Sequence, residues 1–187
     1  TGGSVATGIA GEALSVSGSG TFSDKNAGTG KTVTVADVSS LNKINGTGDW
    51  GNYNLVTTGA MSTTANIAQA ALTVTASAVS KTYDATLTAG GSGVVGSLAG
   101  AGDLVNSAGT QAFLDKNAGT GKTVRASGVT IKDASNADVT GNYLISYVDN
   151  TAGVINRAAL EVTTSSVTKT YDGTLSAAGT AVVRSGT

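Results

Sequence analysis

An all-β fold of tandem immunoglobulin-like β-sandwich repeats, each about 90 residues long, is predicted by three observations on this sequence. First, the chain states one motif twice. Phe22-Ser23-Asp24-Lys25-Asn26-Ala27-Gly28-Thr29-Gly30-Lys31-Thr32-Val33 returns 91 residues later as Phe113-Leu114-Asp115-Lys116-Asn117-Ala118-Gly119-Thr120-Gly121-Lys122-Thr123-Val124, identical at eleven of twelve positions. That spacing is too long for a solenoid coil and fits one small domain. Second, apolar residues alternate with Thr. Leu72, Val74 and Ala76 enclose Thr73 and Thr75, and Val33 and Val35 alternate with Thr32 and Thr34. Period-two alternation of this kind marks half-buried strands. Third, Gly, Asn, Asp and Ser clusters break the pattern every eight to twelve residues. No stretch sustains a helical period.

Further landmarks set the phase. Lys81-Thr82-Tyr83-Asp84 returns as Lys169-Thr170-Tyr171-Asp172, 88 residues on. Gly51-Asn52-Tyr53 returns as Gly141-Asn142-Tyr143, and Gly2-Gly3-Ser4 as Gly90-Gly91-Ser92. Residues 1–70 therefore read as a first repeat lacking its N-terminal strands, 71–158 as a complete repeat, and 159–187 as the opening strands of a third. Seven strands are expected in the complete repeat, at 71–77, 86–89, 109–114, 122–127, 128–133, 142–148 and 152–157. The Tyr-Asp pairs read as structural. Tyr83 and Tyr171 are expected to bury a ring, while Asp84 and Asp172 bond the backbone of the next turn. Tyr53 and Tyr143 read as strand-starting anchors, with Asn142 in the turn before. The residue after Tyr-Asp is Gly173 in one copy and Ala85 in the other, which argues against a left-handed backbone there.

Composition excludes several classes. The 187 residues include 27 Gly but no Pro, Cys or His, and carry 12% charged residues with a net charge of −1. Charge this sparse and balanced gives no electrostatic case for nucleic acid or an anionic membrane. No apolar run approaches the roughly 18 residues of a membrane span. With 2 Phe and 1 Trp, each bead has a thin core, and domains this small bury only about 60% of their unfolded surface. Small extracellular domains often carry disulfides. A chain without Cys cannot, and that composition suits export in an unfolded state.

Candidate chemistry is scarce. Gly119-Thr120-Gly121-Lys122-Thr123 is reminiscent of a phosphate loop. That motif needs a further Gly where Lys116 and Lys25 stand, followed by a helix, and a strand pattern follows instead. A turn with left-handed glycines is the competing reading. Asp133, Ser135, Asn136 and Asp138 gather oxygen ligands of the type hard cations take. The matching stretch, Ser40, Asn42, Asn45, Thr47 and Asp49, has largely lost the carboxylates, so a solvated Asx turn competes there. No metal or cofactor site is assigned. Without His or Cys there is little general-base or nucleophile equipment. A paired-carboxylate site would need a cleft. No catalytic residue is assigned and no enzyme activity is expected. Lys81 or Lys169 with Asn142 supplies the side chains of an isopeptide bond, whose formation depends on burial.

Lys169-Thr170-Tyr171-Asp172-Gly173-Thr174, the Asp115–Val124 motif and Gly141-Asn142-Tyr143 together resemble the YDG domain, named for the Tyr-Asp-Gly at 171–173. The boundary Ile155-Asn156-Arg157-Ala158-Ala159-Leu160 is similar to that of MBG repeats. The resemblance covers essentially the whole chain. It departs at Ala85, and at Arg184-Ser185, where the middle repeat has Gly96-Ser97. It implies an extracellular or bacterial cell-surface location in very large exoproteins of the filamentous-haemagglutinin and two-partner-secretion type. It implies no catalytic residues. The expected function is structural: a bead in the stalk, adhesin or matrix filament. The alternative is a binding module whose sandwich-end loops grip a glycan or host protein, with Trp50 as the candidate ligand contact.

The two ends are complementary. The first repeat lacks the counterpart of 71–88, and the tail carries it as Leu160-Glu161-Val162 and Tyr171-Asp172-Gly173. An incomplete sandwich exposes an edge that an added strand can complete. Neighbouring repeats or copies are therefore the expected partners. The strand would come from a continuing polypeptide, or from a separate protomer joined head to tail. The first is preferred, because 177–187 overlaps the phase of 1–11.

Overall fold

Thr and Val alternate along most of this chain, and extended backbone is what that alternation dictates. The computed structural model describes residues 2–56 and 59–184. Thr1 and Ser185 fall outside the described residues. Among those described, regular structure is β-strand apart from three single 3₁₀ turns, at Val38–Ser40, Trp50–Asn52 and Thr140–Asn142. The all-β expectation is met. The chain divides into two compact units, Thr1–Ala70 with Val139–Leu144, and Ala71–Asp138 with Ile145–Thr187.

The first unit contains β1 (Gly2–Ala6), β2 (Ala13–Ser17), β3 (Thr21–Phe22), β4 (Gly28–Val35), β5 (Asn42–Asn45) and β6 (Met61–Ile67). They form two three-stranded sheets, ordered β1-β2-β5 and β3-β4-β6. Every pairing is antiparallel. Its core is slight. Among its described residues the buried large apolar side chains are Leu14, Val139 and Tyr143, at 2%, 6% and 4% exposure.

The second unit is built from β7 (Ala70–Thr75), β8 (Ser80–Thr82), β9 (Thr88–Ala89), β10 (Val94–Val95), β11 (Leu104–Ser107), β12 (Thr110–Phe113), β13 (Gly119–Ser127), β14 (Thr130–Lys132), β15 (Tyr143–Val148) and β16 (Asn150–Asn156). A five-stranded sheet runs β8-β16-β13-β12-β9, a three-stranded sheet β10-β7-β15, and a ribbon joins β11 to β14. Within the large sheet β8 lies parallel to β16. Strands were expected at β7, β9 and β12 to β16. The structure adds β8, β10 and β11. The tail forms one more hairpin, β17 (Glu161–Thr164) with β18 (Ala181–Arg184).

Alternation fixes which residues enter the core of this unit. From β7, Leu72 and Val74 point inward, followed by Ala76; from β12, Gln111 and Phe113; from β13, Val124 and Ala126. Ile131 and Ile155 complete the largest buried side chains. Gln111 is polar and 3% exposed. Its burial is compensated by hydrogen bonds: its Oε1 accepts from Ser77 N at 2.6 Å and its Nε2 donates to the Gly90 carbonyl at 3.2 Å. The Ser77 bond also ties the end of β7 to β12.

Gly153 is needed for close packing. A methyl placed there would lie 2.7 Å from the Lys122 carbonyl and 2.8 Å from both Phe113 and Val124. The Phe113 ring occupies the space that this missing side chain leaves.

Candidate functional site

The repeated motif is an internal staple in both units. In the first, the Lys31 ammonium donates to Asp24 Oδ1 at 2.5 Å. In the second, Lys122 pairs with Asp115 in the same way. The stem of each lysine passes over the first Gly of Gly-Thr-Gly-Lys; a methyl on Gly28 would sit 2.9 Å from Lys31 Cε. The second Gly turns left-handed, with φ 63° at Gly30 and 64° at Gly121. The same register irregularity falls there twice, between Gly28 and Lys31 and between Gly119 and Lys122. This is a bulge that returns the lysine to its carboxylate. Lys31 and the Asn26 amide hold the Asp24 carboxyl below its usual range, and Lys122 and the Asn117 amide do the same for Asp115. No helix follows Lys31 or Lys122; each lies within a strand. Each ammonium is directed to a carboxylate of its own hairpin.

The Tyr-Asp motif is a second staple, again reproduced. Lys81 Nζ donates to Asp84 Oδ1 at 2.7 Å and to the Thr86 carbonyl at 2.8 Å. Lys169 Nζ donates to Asp172 Oδ1 at 2.8 Å and to the Thr174 carbonyl at 2.7 Å. The Thr86 and Thr174 amides each donate to the same carboxylate at 2.9 Å. Hydrogen bonding to Lys81, then to the Thr86 backbone, lowers the Asp84 pKa from 3.8 to about 2. Asp172 is shifted down likewise, first by Lys169. The residue between is left-handed in both copies, at φ 65° for Ala85 and 73° for Gly173. This corrects the expectation drawn from Ala85: the turn demands positive φ, and Ala accepts the strain because the staple fixes both flanks.

The recurring tyrosines divide. Tyr143 is 4% exposed, whereas Tyr83 is 37% and Tyr171 is 94% exposed. Tyr83 is held through its backbone, N–H to the Asn156 carbonyl at 2.8 Å. In Gly-Asn-Tyr, the 3₁₀ turn ends as the tyrosine N–H donates back to Trp50 O or Thr140 O. The Tyr53 hydroxyl donates to Glu12, which raises its pKa. Within the first compact unit, Asn142 Oδ1 accepts from Ala27 N at 2.9 Å, and its Nδ2 donates to Asn26 Oδ1 at 3.1 Å.

The remaining candidates are likewise engaged by their own loops. Asp133 Oδ1 accepts from Ser135 N, Ser135 Oγ and Ala137 N at 2.9, 2.6 and 3.1 Å. Asn136 Oδ1 accepts from Lys132 Nζ at 2.9 Å. Asp138 bridges to Lys132 through the backbone. Among the described residues no cluster of three His, Cys, Asp or Glu could hold a metal ion. Trp50 is half-buried; its Nε1 donates to the Ser15 and Ile44 carbonyls, each at 3.2 Å, and Lys43 Nζ lies 5.9 Å over its ring. Through these bonds the indole is anchored to β2 and β5. No helix among the described residues is long and apolar enough to cross a membrane.

The first unit has an apolar cleft of about 260 Å³, lined chiefly by Val16, Val33, Val35, Leu41 and Met61.

The YDG domain family matches residues 1–62 and 68–152, and the chain belongs to that family. The match takes in Tyr83-Asp84-Ala85, and the Tyr171-Asp172-Gly173 copy lies beyond it. No curated protein and no solved structure matches the chain significantly.

Proposed function

We propose that this chain is a structural repeat module of a bacterial extracellular adhesin, stalk or matrix filament, in an exoprotein of the filamentous-haemagglutinin and two-partner-secretion type. Each bead is an immunoglobulin-like sandwich, with the β7 sheet packed on the five-stranded sheet. The observation that carries this reading is where the repeated polar residues point. Lys31, Lys122, Lys81, Lys169 and their Asp partners recur with near-identical geometry and bond within their own turns. Residues repeated for catalysis or ligand binding would face a shared cleft. These fasten hairpins, and fastened hairpins resist pulling. The bead acts by length and mechanical persistence, and no catalytic role is assigned.

Force spectroscopy on the full chain tests this. Held between its ends, the second unit should give an abrupt unfolding event releasing about 30 nm, the extended length of some 88 residues at ~3.5 Å each. Smooth extension without an event would overturn the mechanical reading.

A further inference from the structure

We propose that Asn45-Gly46, in the first unit, is a self-modification site: a deamidation that the fold holds off while the unit is closed, and whose product the unit cannot take back once it has opened.

Packing imposes the dipeptide. Of the asparagines in the chain, Asn45 alone precedes a glycine. An asparagine cyclises when the peptide nitrogen of the next residue attacks its side-chain carbonyl carbon. The new N–C bond closes a succinimide, and the amide nitrogen leaves as ammonia. Water then opens one of the two ring carbonyls. The product is aspartate, or isoaspartate with the chain rerouted through the side chain. Glycine favours the attack, because it has no Cβ beside the nitrogen and its backbone turns freely. At this position no other residue fits. Gly46 leaves the end of β5, and a methyl built on it would lie 2.3 Å from the Ala13 carbonyl oxygen. Ala13 N donates to Thr47 Oγ1 at 2.8 Å, and Gly48 N donates to the Ala13 carbonyl at 3.2 Å. The turn is thereby pinned to the start of β2.

The folded unit withholds the reacting carbon. Asn45 Oδ1 accepts from Trp50 N at 2.9 Å, and Asn45 Nδ2 donates to Asp49 Oδ1 at 3.0 Å. Attack makes the carbon between them tetrahedral and swings both atoms out of these bonds. Reaction therefore passes through an opened loop. Asn45 is exposed, so water for the second step has access.

The product does not fit back. Asp49 Oδ1 also accepts from Gly51 N at 2.9 Å. An aspartate at position 45 still offers an oxygen to Trp50 N. Where an N–H pointed at Asp49, however, it sets a second oxygen, and two carboxylates meet. The bonds lost are those that cap the 3₁₀ turn Trp50–Asn52, and with it the indole tied to the Ser15 and Ile44 carbonyls. Isoaspartate goes further: it lengthens the backbone at the end of β5, where Asn45 pairs with Leu14. The first unit thus keeps a permanent chemical record of having opened. The second unit provides an internal control, since its loop asparagine, Asn136, precedes Ala137.

Mass-spectrometric peptide mapping of the full chain, aged at neutral pH, provides the test. Asn45 should convert at least roughly tenfold more slowly in the folded chain than in denaturant, as expected of a segment that reacts only when it opens. Asn136 should stay nearly unconverted in both. Asp49→Ala should bring the folded rate toward the denatured one, whereas Asp49→Asn keeps an acceptor oxygen and should stay slow. Hydrogen exchange reads the consequence. Asn45→Asp should speed exchange of β2 and β5 amides about tenfold, the effect of losing one hydrogen bond to a charged group. Exchanging the pair, Asn45→Asp with Asp49→Asn, should restore protection, because the amide then donates in the opposite direction. That rescue keeps the test decisive even if Asp49→Ala fails to fold. Equal conversion of Asn45 in folded and denatured chains, unchanged exchange in Asn45→Asp, or a double variant no better protected than the single one would overturn the proposal.

Discussion

Phe22 and Phe113 open the same twelve-residue motif, pair with the same strand neighbour, and differ in burial from 38% to 1% exposure. Their hairpins carry the same staple and the same bulge. What separates them is what covers the hairpin. Over Phe113 the second unit places β8, whose Lys81 ammonium lies 5.5 Å above the ring, and Gly153, which leaves the ring room. Among the described residues the first unit shows no counterpart of β7 to β9, and Ala65 stands where Gly153 would be. A further consequence appears at residues 53–56. Their equivalents, 143–146, are strand in β15, but 53–56 are not, because β15 depends on β7 as its partner. Local sequence makes the hairpin; burial comes from a strand supplied by a different part of the repeat.

The largest expected effect breaks this comparison directly. Phe113→Ala should destabilise the second unit by about 3–5 kcal/mol, the usual loss for a buried Phe. Phe22→Ala should lose roughly 1 kcal/mol, because much of its surface is already in water. Hydrogen exchange read strand by strand in the full chain separates the two. Amides of β13 should lose protection in Phe113→Ala, while those of β4 change little in Phe22→Ala. Equal losses would mean that β7 is not what distinguishes the units.

A smaller effect sharpens the account of the ring pocket. Gly153→Ala forces a methyl against Phe113, Val124 and the Lys122 carbonyl, and overpacking of this kind costs about 1–3 kcal/mol. Ala65→Gly, the reciprocal change, should alter the first unit by less than about 1 kcal/mol. Thermal unfolding of each variant measures the difference. Next comes Ala85→Gly. An L-residue in the left-handed region costs about 1–2 kcal/mol, partly offset by the greater freedom of Gly in the unfolded chain. A gain near 0.5–1 kcal/mol in the second unit is expected from denaturant titration. A loss would show that Ala85 is not strained.

Much of this was legible in the sequence. The Leu72-Val74-Ala76 alternation places β7 and three of its unit's buried side chains, and the strand expected at 122–127 is β13. Strands β8, β10 and β11 were missed because each is short, and Ser80–Thr82 and Leu104–Ser107 lack an alternating apolar face. The left-handed Ala85 was misread because its φ is imposed by three hydrogen bonds to Asp84, not by the residue's own preference. The Lys31–Asp24 staple had a readable signal: opposite charges seven residues apart across a Gly turn, recurring at Lys122 and Asp115. The cleft beside Val33 and Val35 was signalled only as the open edge expected of a repeat read as lacking its N-terminal strands.

The smallest expected effect concerns the staple that both the packed unit and the open tail possess. Asp84 and Asp172 have the same partners at nearly the same distances, yet Leu87 beside the first is 46% exposed and Leu175 beside the second is 105% exposed. If the staple is purely local, both carboxyls should titrate low; if it depends on packing, only Asp84 should. For Asp84 the folded pKa of about 2 lies below the usual 3.8. A depressed carboxyl pKa means the folded state is favoured by the ionised form. That contribution is complete above pH ~4 and insensitive to pH from ~4 to neutrality, and it is lost as pH falls from the usual 3.8 through about 2. Carboxyl-carbon NMR titration should place the Asp84 midpoint near 2 and the Asp172 midpoint below 3.8. Lys81→Met should raise the first toward its ordinary value and leave the second unmoved. An Asp84 midpoint at 3.8 in the wild-type chain would remove Lys81 as its partner in solution. An ordinary Asp172 beside a depressed Asp84 would make the staple, like the Phe113 pocket, a property that only the covered repeat can hold.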